Sequence, residues 1–251
     1  MDKELIHKRF AAALKTYSTQ AIVQKQVAEH LSTLMKPFLP NSSKPMRGVE
    51  IGCGTGLFTR KYLSLFDFEH LWLNDLCPEV QFYIRDLLCE KISFLPGDAE
   101  QIDYPTSLDL ILSCSVMQWF TTPEKFFLRS GKALKQNSLL VLSTFGKETL
   151  REITSLIGRG LSYPSLEELK AMLIPQYKLL TAEESLIILK LDSPMDVLRH
   201  LKATGVTGVR YFQWNRKTIK DFTLSYKELY STLEGQVTLT YHPIYLIAQK
   251  K

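Results

Sequence analysis

Cysteine is scarce in this 251-residue chain, and nothing in its placement suggests a staple or a metal cage. Cys53, Cys77, Cys89 and Cys114 include no C-x-x-C pair, so buried thiols in a reducing compartment are expected. The five histidines are scattered too. No pair has helical or Cys/His metal spacing, and no metal is expected. No apolar run approaches the roughly 20 residues that span a bilayer. Met1-Asp2-Lys3-Glu4 lacks a signal-peptide core, so the expectation is a cytoplasmic protein away from membranes. A large charge excess is also missing. The net charge of +5 does not by itself imply nucleic acid, and no basic–aromatic strip is visible. Internal repeats and low-complexity tracts are absent.

What is present is a regular alternation. Residues 5–36 read as helical, with a break near Tyr17-Ser18-Thr19, followed by a loop containing Pro37, Pro40, Asn41-Ser42-Ser43 and Pro45. Strands are expected near 47–52, 70–75, 92–96, 108–113 and 139–143, with helices near 56–66, 78–90 and 123–135 between them. Leu108-Asp109-Leu110-Ile111-Leu112-Ser113 is the near-continuous apolar run of a strand covered on both faces. The pattern predicts an α/β fold with a doubly wound, mostly parallel sheet. After Phe145 the order changes. Helices are expected near 147–158, 165–173, 194–204 and 215–233, around a strand-like run at 186–191. A β-rich stretch, 237–248, is expected to add an antiparallel edge.

The ends of the strands carry the chemistry. Val49-Glu50-Ile51-Gly52-Cys53-Gly54-Thr55-Gly56 closes the first strand. Its glycines permit a sharp turn and a close backbone approach to a ligand; a tight turn with no ligand is the alternative. The second strand ends in Asn74-Asp75, where a carboxylate can accept both hydroxyls of a ribose. After the third come Gly97-Asp98-Ala99-Glu100: Asp98 can accept from an adenine amine or form an Asx turn, and Ala99 leaves room for a flat ring. The spacing G-x-G-x-G differs from the G-x-G-x-x-G of diphosphate-binding loops.

The fourth strand ends at Ser113-Cys114-Ser115, followed by Val116-Met117-Gln118-Trp119-Phe120. Gln118 and Trp119 offer an amide donor and an indole donor with no strong base beside them. That suits a nucleophile already anionic at neutral pH, such as a carboxylate. Core packing of Trp119 and Phe120 is the other reading.

Glu50 through Gly56 resembles motif I of class I S-adenosylmethionine-dependent methyltransferases. More narrowly, the chain is similar to the malonyl-acyl-carrier-protein O-methyltransferases of biotin synthesis. The similarity rests on Phe10-Ala11-Ala12-Ala13, Tyr17, Ala21-x-x-Gln24, the two cofactor motifs, Met117-Gln118-Trp119-Phe120, Ser143-Thr144-Phe145-Gly146, Leu201 through Val206, and Leu239-Thr240-Tyr241-His242. It implies one Rossmann-like methyltransferase domain: a helical lid (1–45), a cofactor core (46–146), a substrate and carrier region (147–235) and an edge strand (236–251).

The resemblance implies S-adenosylmethionine held by Glu50, Gly52, Cys53, Gly54, Gly56, Asn74, Asp75, Asp98, Ala99, Glu100 and Ser113. It implies methyl transfer to a malonyl carboxylate oriented by Gln118 and Trp119. Tyr17 would close over the donor, or would be an ordinary helix-face aromatic. Arg210 is the candidate partner for the carboxylate, since an arginine fork suits it; a surface arginine fits equally. The implied partner is an acyl carrier protein with a malonyl-phosphopantetheine arm. Arg199, Lys202, Arg216, Lys217 and Lys220 form its candidate landing site on a monomer, or a solvated helix face. A small-molecule carboxylate O-methyltransferase, of the trans-aconitate type, is the alternative enzyme reading.

Overall fold

The computed structural model describes residues 2–39, 45–65, 67–158, 160–206 and 215–251. Pro40 and Asn41-Ser42-Ser43 of the expected loop, and Arg210, lie outside them.

In chain order the strands are β1 (Met46–Ile51), β2 (Phe68–Asp75), β3 (Ile92–Pro96), β4 (Leu108–Cys114), β5 (Leu134–Phe145), β6 (Tyr177–Glu184), β7 (Ile187–Leu191), β8 (Val237–Tyr241) and β9 (Pro243–Lys250). Seven form one sheet in the order β3-β2-β1-β4-β5-β9-β6. The first five are parallel, β9 runs antiparallel to β5, and β6 pairs antiparallel with β9. The doubly wound, mostly parallel sheet read from the sequence is therefore present.

The helices are α1 (Lys3–Gln20), α2 (Ile22–Met35), α3 (Thr59–Tyr62), α4 (Gln81–Ile84), α5 (Pro123–Ala133), α6 (Arg151–Ile157), α7 (Leu166–Leu173), α8 (Pro194–Ala203) and α9 (Arg216–Tyr230). Successive strand residues face opposite sides, so the sheet divides its apolar residues between two cores. Leu110 and Leu112 join α2 residues Val27 and Leu31 on one face. Ile111, Val49 and Ile51 join Phe126 and Phe127 of α5 on the other.

Several boundaries depart from the pattern. The chain breaks at Ala21 rather than at Tyr17-Ser18-Thr19. Thr19 bonds back to the Thr16 carbonyl and Ser18 reaches Thr55, so the hydroxyls there do not end the helix. The expected 237–248 strand is two strands. Pro243 has no N–H to donate, and the ladder changes partner beside it: β8 pairs with β7 as a separate ribbon, while β9 enters the main sheet. The sequence pattern does not mark residues 177–184 as a strand. β6 is a sheet edge with a register shift at Leu179/Thr181 and ends in two glutamates, which blurs its alternation. The expected helices 56–66 and 78–90 contract to α3 and to a 3-10 turn (Pro78–Val80) followed by α4.

Candidate active site

Parallel strands all end on the same edge, and a crevice opens where the strand order reverses, between β1 and β4. Helix α1 lies across that edge. Lys3 near its start donates to the Trp119 carbonyl at 3.1 Å and pairs with Glu100 at 2.6 Å and with Asp98 at 3.4 Å. His7 Nε2 meets Glu79 at 2.9 Å. Ser18 near its end donates to Thr55 of the glycine turn at 3.0 Å.

Three adjoining chambers lie beneath this helix, and Tyr17 and Ser115 border all of them. The largest has about 780 Å³ of empty space, the open solvent at its mouth included. Asp75 stands at its β2 wall. One carboxylate oxygen accepts the Gly54 N–H at 2.8 Å and the other the Cys77 N–H at 2.9 Å. Each oxygen keeps a second lone pair for a ligand hydroxyl. Burial pushes this carboxyl up, against those two N–H donors. Asp98 and Ala99 line the next strand end. Asp98 also accepts the Glu100 N–H at 3.0 Å, so the Asx turn and the cavity position coexist.

Gly52, Gly54 and Gly56 have φ of +71°, +52° and +79°, a left-handed region costly for other residues. At Gly52 space is limiting as well: a Cβ there would stand 2.3 Å from Val116 Cγ2.

The second chamber, about 360 Å³, lies past Tyr17 and Trp119, with Gln118, Thr149, Tyr163, Thr204 and Tyr241 on its walls. Gln118 donates to the Ser115 carbonyl at 2.7 Å and accepts from Thr144 at 3.3 Å, leaving one amide hydrogen for a ligand. Burial pushes the Tyr17, Tyr163 and Tyr241 phenols up, so they stay protonated donors. Among the described residues, no carboxylate, histidine, lysine or arginine lines this chamber. Arg210, the expected carboxylate partner, lies outside the described residues.

The third chamber, about 340 Å³, is walled by Glu50, Gly52, Cys53, Gly54 and Gln24. Glu50 is 1% exposed and accepts the hydroxyls of Thr59 and Tyr62, each at 2.6 Å. Burial pushes its carboxyl up to about 7, partly offset by those hydroxyls.

Of the residues expected in the site, the fold brings Tyr17, Gly52, Gly54, Asn74, Asp75, Asp98, Ala99 and Trp119 to the first chamber. Gln118 belongs to the second, and Glu50 and Cys53 to the third. Gly56, Glu100 and Ser113 line none of the three. Gly56 closes the turn by donating to the Cys53 carbonyl at 3.0 Å. Ser113 is fully buried and bonds the Ile51 carbonyl, tying β4 to β1. The Glu100 carboxylate accepts the Thr121 and Thr122 N–H groups besides Lys3. Burial raises that carboxyl, but these partners hold it below its usual value. Asn74 uses its amide to donate to the Leu95 and Gly97 carbonyls, which fixes the β2 and β3 ends.

Sequence spacing missed Lys3, Phe10 and Ser115. Phe10 stacks edge-on against Trp119 at 5.3 Å, and no local pattern links residues so far apart in the chain. Ser115 holds φ +60°, a conformation found at functional sites. Also unanticipated are His7, Cys77 and Glu79, whose ligand atoms lie within 4.8 Å of one another beside the first chamber.

The Glu50 environment gives a pH signature. The folded carboxyl is at about 7 and the unfolded one near 4.5, so the folded state holds the extra proton between them. Stability from this group is present below the unfolded value and is lost as pH rises through the folded one. The unfolding midpoint of Glu50→Gln relative to wild type should therefore rise between about pH 5 and about pH 8 in denaturant titrations. A constant difference would contradict the assignment.

Comparison with known proteins places these features in a family. A "Methyltransferase domain" family model matches residues 49–142. A malonyl-[acyl-carrier protein] O-methyltransferase of Bacteroides fragilis is 47% identical over 99% of this chain; the chain spans about half (51%) of that protein's length. The protein of the same name from Bacteroides helcogenes is 42% identical over 100% of both chains. Among solved structures, the YcgJ protein from Bacillus subtilis superposes with a TM-score of 0.63 at 16% identity, covering 88% of this chain and 98% of that one, a likeness of fold. Among the described residues, no helix is long and apolar enough to cross a membrane. Similarity along the full length of a relative, over a methyltransferase-type sheet, makes this chain a member of the malonyl-[acyl-carrier protein] O-methyltransferase family.

Proposed function

We propose that the protein transfers a methyl group from S-adenosylmethionine to the free carboxylate of a malonyl group carried on acyl carrier protein. The observation that carries the reading is the second chamber, which has neutral hydrogen-bond donors and, among its described residues, no base. An amine or alcohol acceptor has a proton to lose, and such a wall offers no group to take it. A carboxylate is already deprotonated at neutral pH and needs only to be held.

The donor fits the first and third chambers. Asp75 would receive the ribose hydroxyls, Asp98 and Ala99 would flank the base, and the glycine turn would admit the amino-acid end. Bound there, it supplies an activated methyl on a sulfonium. Tyr17 separates the donor side from the second chamber and would exclude water from the reacting pair. The reaction brings a cation to an anion, so a dry site favours it over bulk water. Alignment by Tyr17, Gln118 and Trp119 would supply up to roughly 7–11 kcal/mol.

In this reading α1 and α2 act as the lid. Helices α8 and α9, packed against each other, form the carrier's landing face. Arg199, Lys202, Arg216, Lys217 and Lys220 are all exposed there. Arg199 also pairs with Asp196. An acidic carrier would be steered to this face in a salt-sensitive way.

The reading is tested by product mass after incubation with S-adenosylmethionine and malonyl-carrier, with acetyl-carrier alongside. One methyl gained on the malonyl carrier alone, removed by mild ester hydrolysis, is expected. Methylation of free small dicarboxylates but not of the carrier would favour the small-acid enzyme. For the docking face, Lys217→Glu with Lys220→Glu should raise KM for malonyl-carrier and leave KM for malonyl-coenzyme A unchanged. Equal changes in both would remove that face from the account.

A further inference from the structure

Gln24 is a buried amide with an unmet hydrogen-bonding need at the junction of two chambers. It is 5% exposed, and its Oε1 has no partner. It borders both the second and third chambers, together with Tyr17 and Ser115. Two other buried side-chain oxygens among the described residues lack partners, on Ser130 and Thr232. Neither lines the three chambers.

The ordinary structural role for this residue is closed. Gln24 stands at the third position of α2, where a glutamine can reach back to the N–H of the capping residue. That N–H, on Ala21, already donates to the Tyr17 carbonyl at 2.8 Å. A buried amide oxygen left without a donor is costly, and such an atom on a cavity wall points to a ligand.

The chamber itself selects the ligand group. With the nucleoside end beside Asp75, Asp98 and Ala99, the amino-acid end of the donor would be held in the third chamber, which shares Gly52, Gly54 and Thr55 with the first. Its ammonium needs acceptors there. The Glu50 carboxylate accepts Thr59 and Tyr62 on one oxygen, Oε2, and Gln24 Oε1 is the buried acceptor on this wall without a partner. We propose that the Gln24 side chain binds the charged amino-acid end of the methyl donor, its Oε1 accepting from the ammonium. The inference rests on the donor assignment above and adds a residue from outside the sheet. Because Gln24 also faces the second chamber, occupancy by the donor would fix the amide that the acceptor meets.

The test is calorimetric binding of two ligands to wild type and Gln24→Leu. S-adenosylhomocysteine carries the amino-acid end; 5′-methylthioadenosine keeps the nucleoside and lacks that end. The expected result is a loss of about tenfold or more in affinity for the first, as for a hydrogen bond to a charged group, with no change for the second. Equal losses for both ligands, or no loss for either, would overturn the assignment. Should the leucine variant fail to fold, Gln24→Met, close to isosteric, carries the same comparison. Failure of wild type to bind S-adenosylhomocysteine would instead defeat the functional reading.

Discussion

The site depends on α1 being held across the carboxyl ends of the parallel strands. A sheet edge with a glycine turn is an open crevice. It becomes a set of chambers because Lys3, His7, Ser18 and Thr16 attach the helix to the β3, β2 and β1 loops and to α8. Tyr17 then forms a wall common to all three chambers. Most of these attachments are partly exposed polar contacts, each contributing little. The apolar contribution comes from Leu14 in the core and from Phe10 against Trp119.

The electrostatics of the chambers differ. The first and third hold carboxyl groups: Asp75 and Asp98 at the first and Glu50 at the third. A cation-bearing ligand suits that wall. The second chamber holds phenols, amides, an indole and threonines. Buried phenols remain protonated, so the chamber donates hydrogen bonds without competing for a proton. Tyr241 adds a hydrogen bond to His200 at 3.0 Å, and burial lowers that imidazole's pKa and favours its neutral form.

Legibility in the sequence followed the range of the interaction. Gly52, Gly54, Asp75 and Ala99 sit at strand ends, where local pattern and fold topology coincide, and all line the cavity. Glu100 and Ser113 stand beside such residues, yet the fold turns them elsewhere: one clamps the backbone at Thr121 and Thr122, the other bonds β1. Which way a side chain points at a strand end depends on what packs above it, and that information lies in α1. Lys3, Phe10 and Gln24 line the chambers or their rim from two helices whose apolar periodicity marks them only as helical. The ribbon of β7 and β8 was hidden for another reason: Pro243 makes one β-rich stretch serve two ladders.

The claim that α1 completes the donor site is tested most directly by amide hydrogen exchange across residues 3–20, with and without S-adenosylhomocysteine. The expected result is slow exchange in the central strands in both states, with clear slowing in α1 on binding. Exchange in α1 that does not change while the ligand is bound would mean the helix is no part of the donor site.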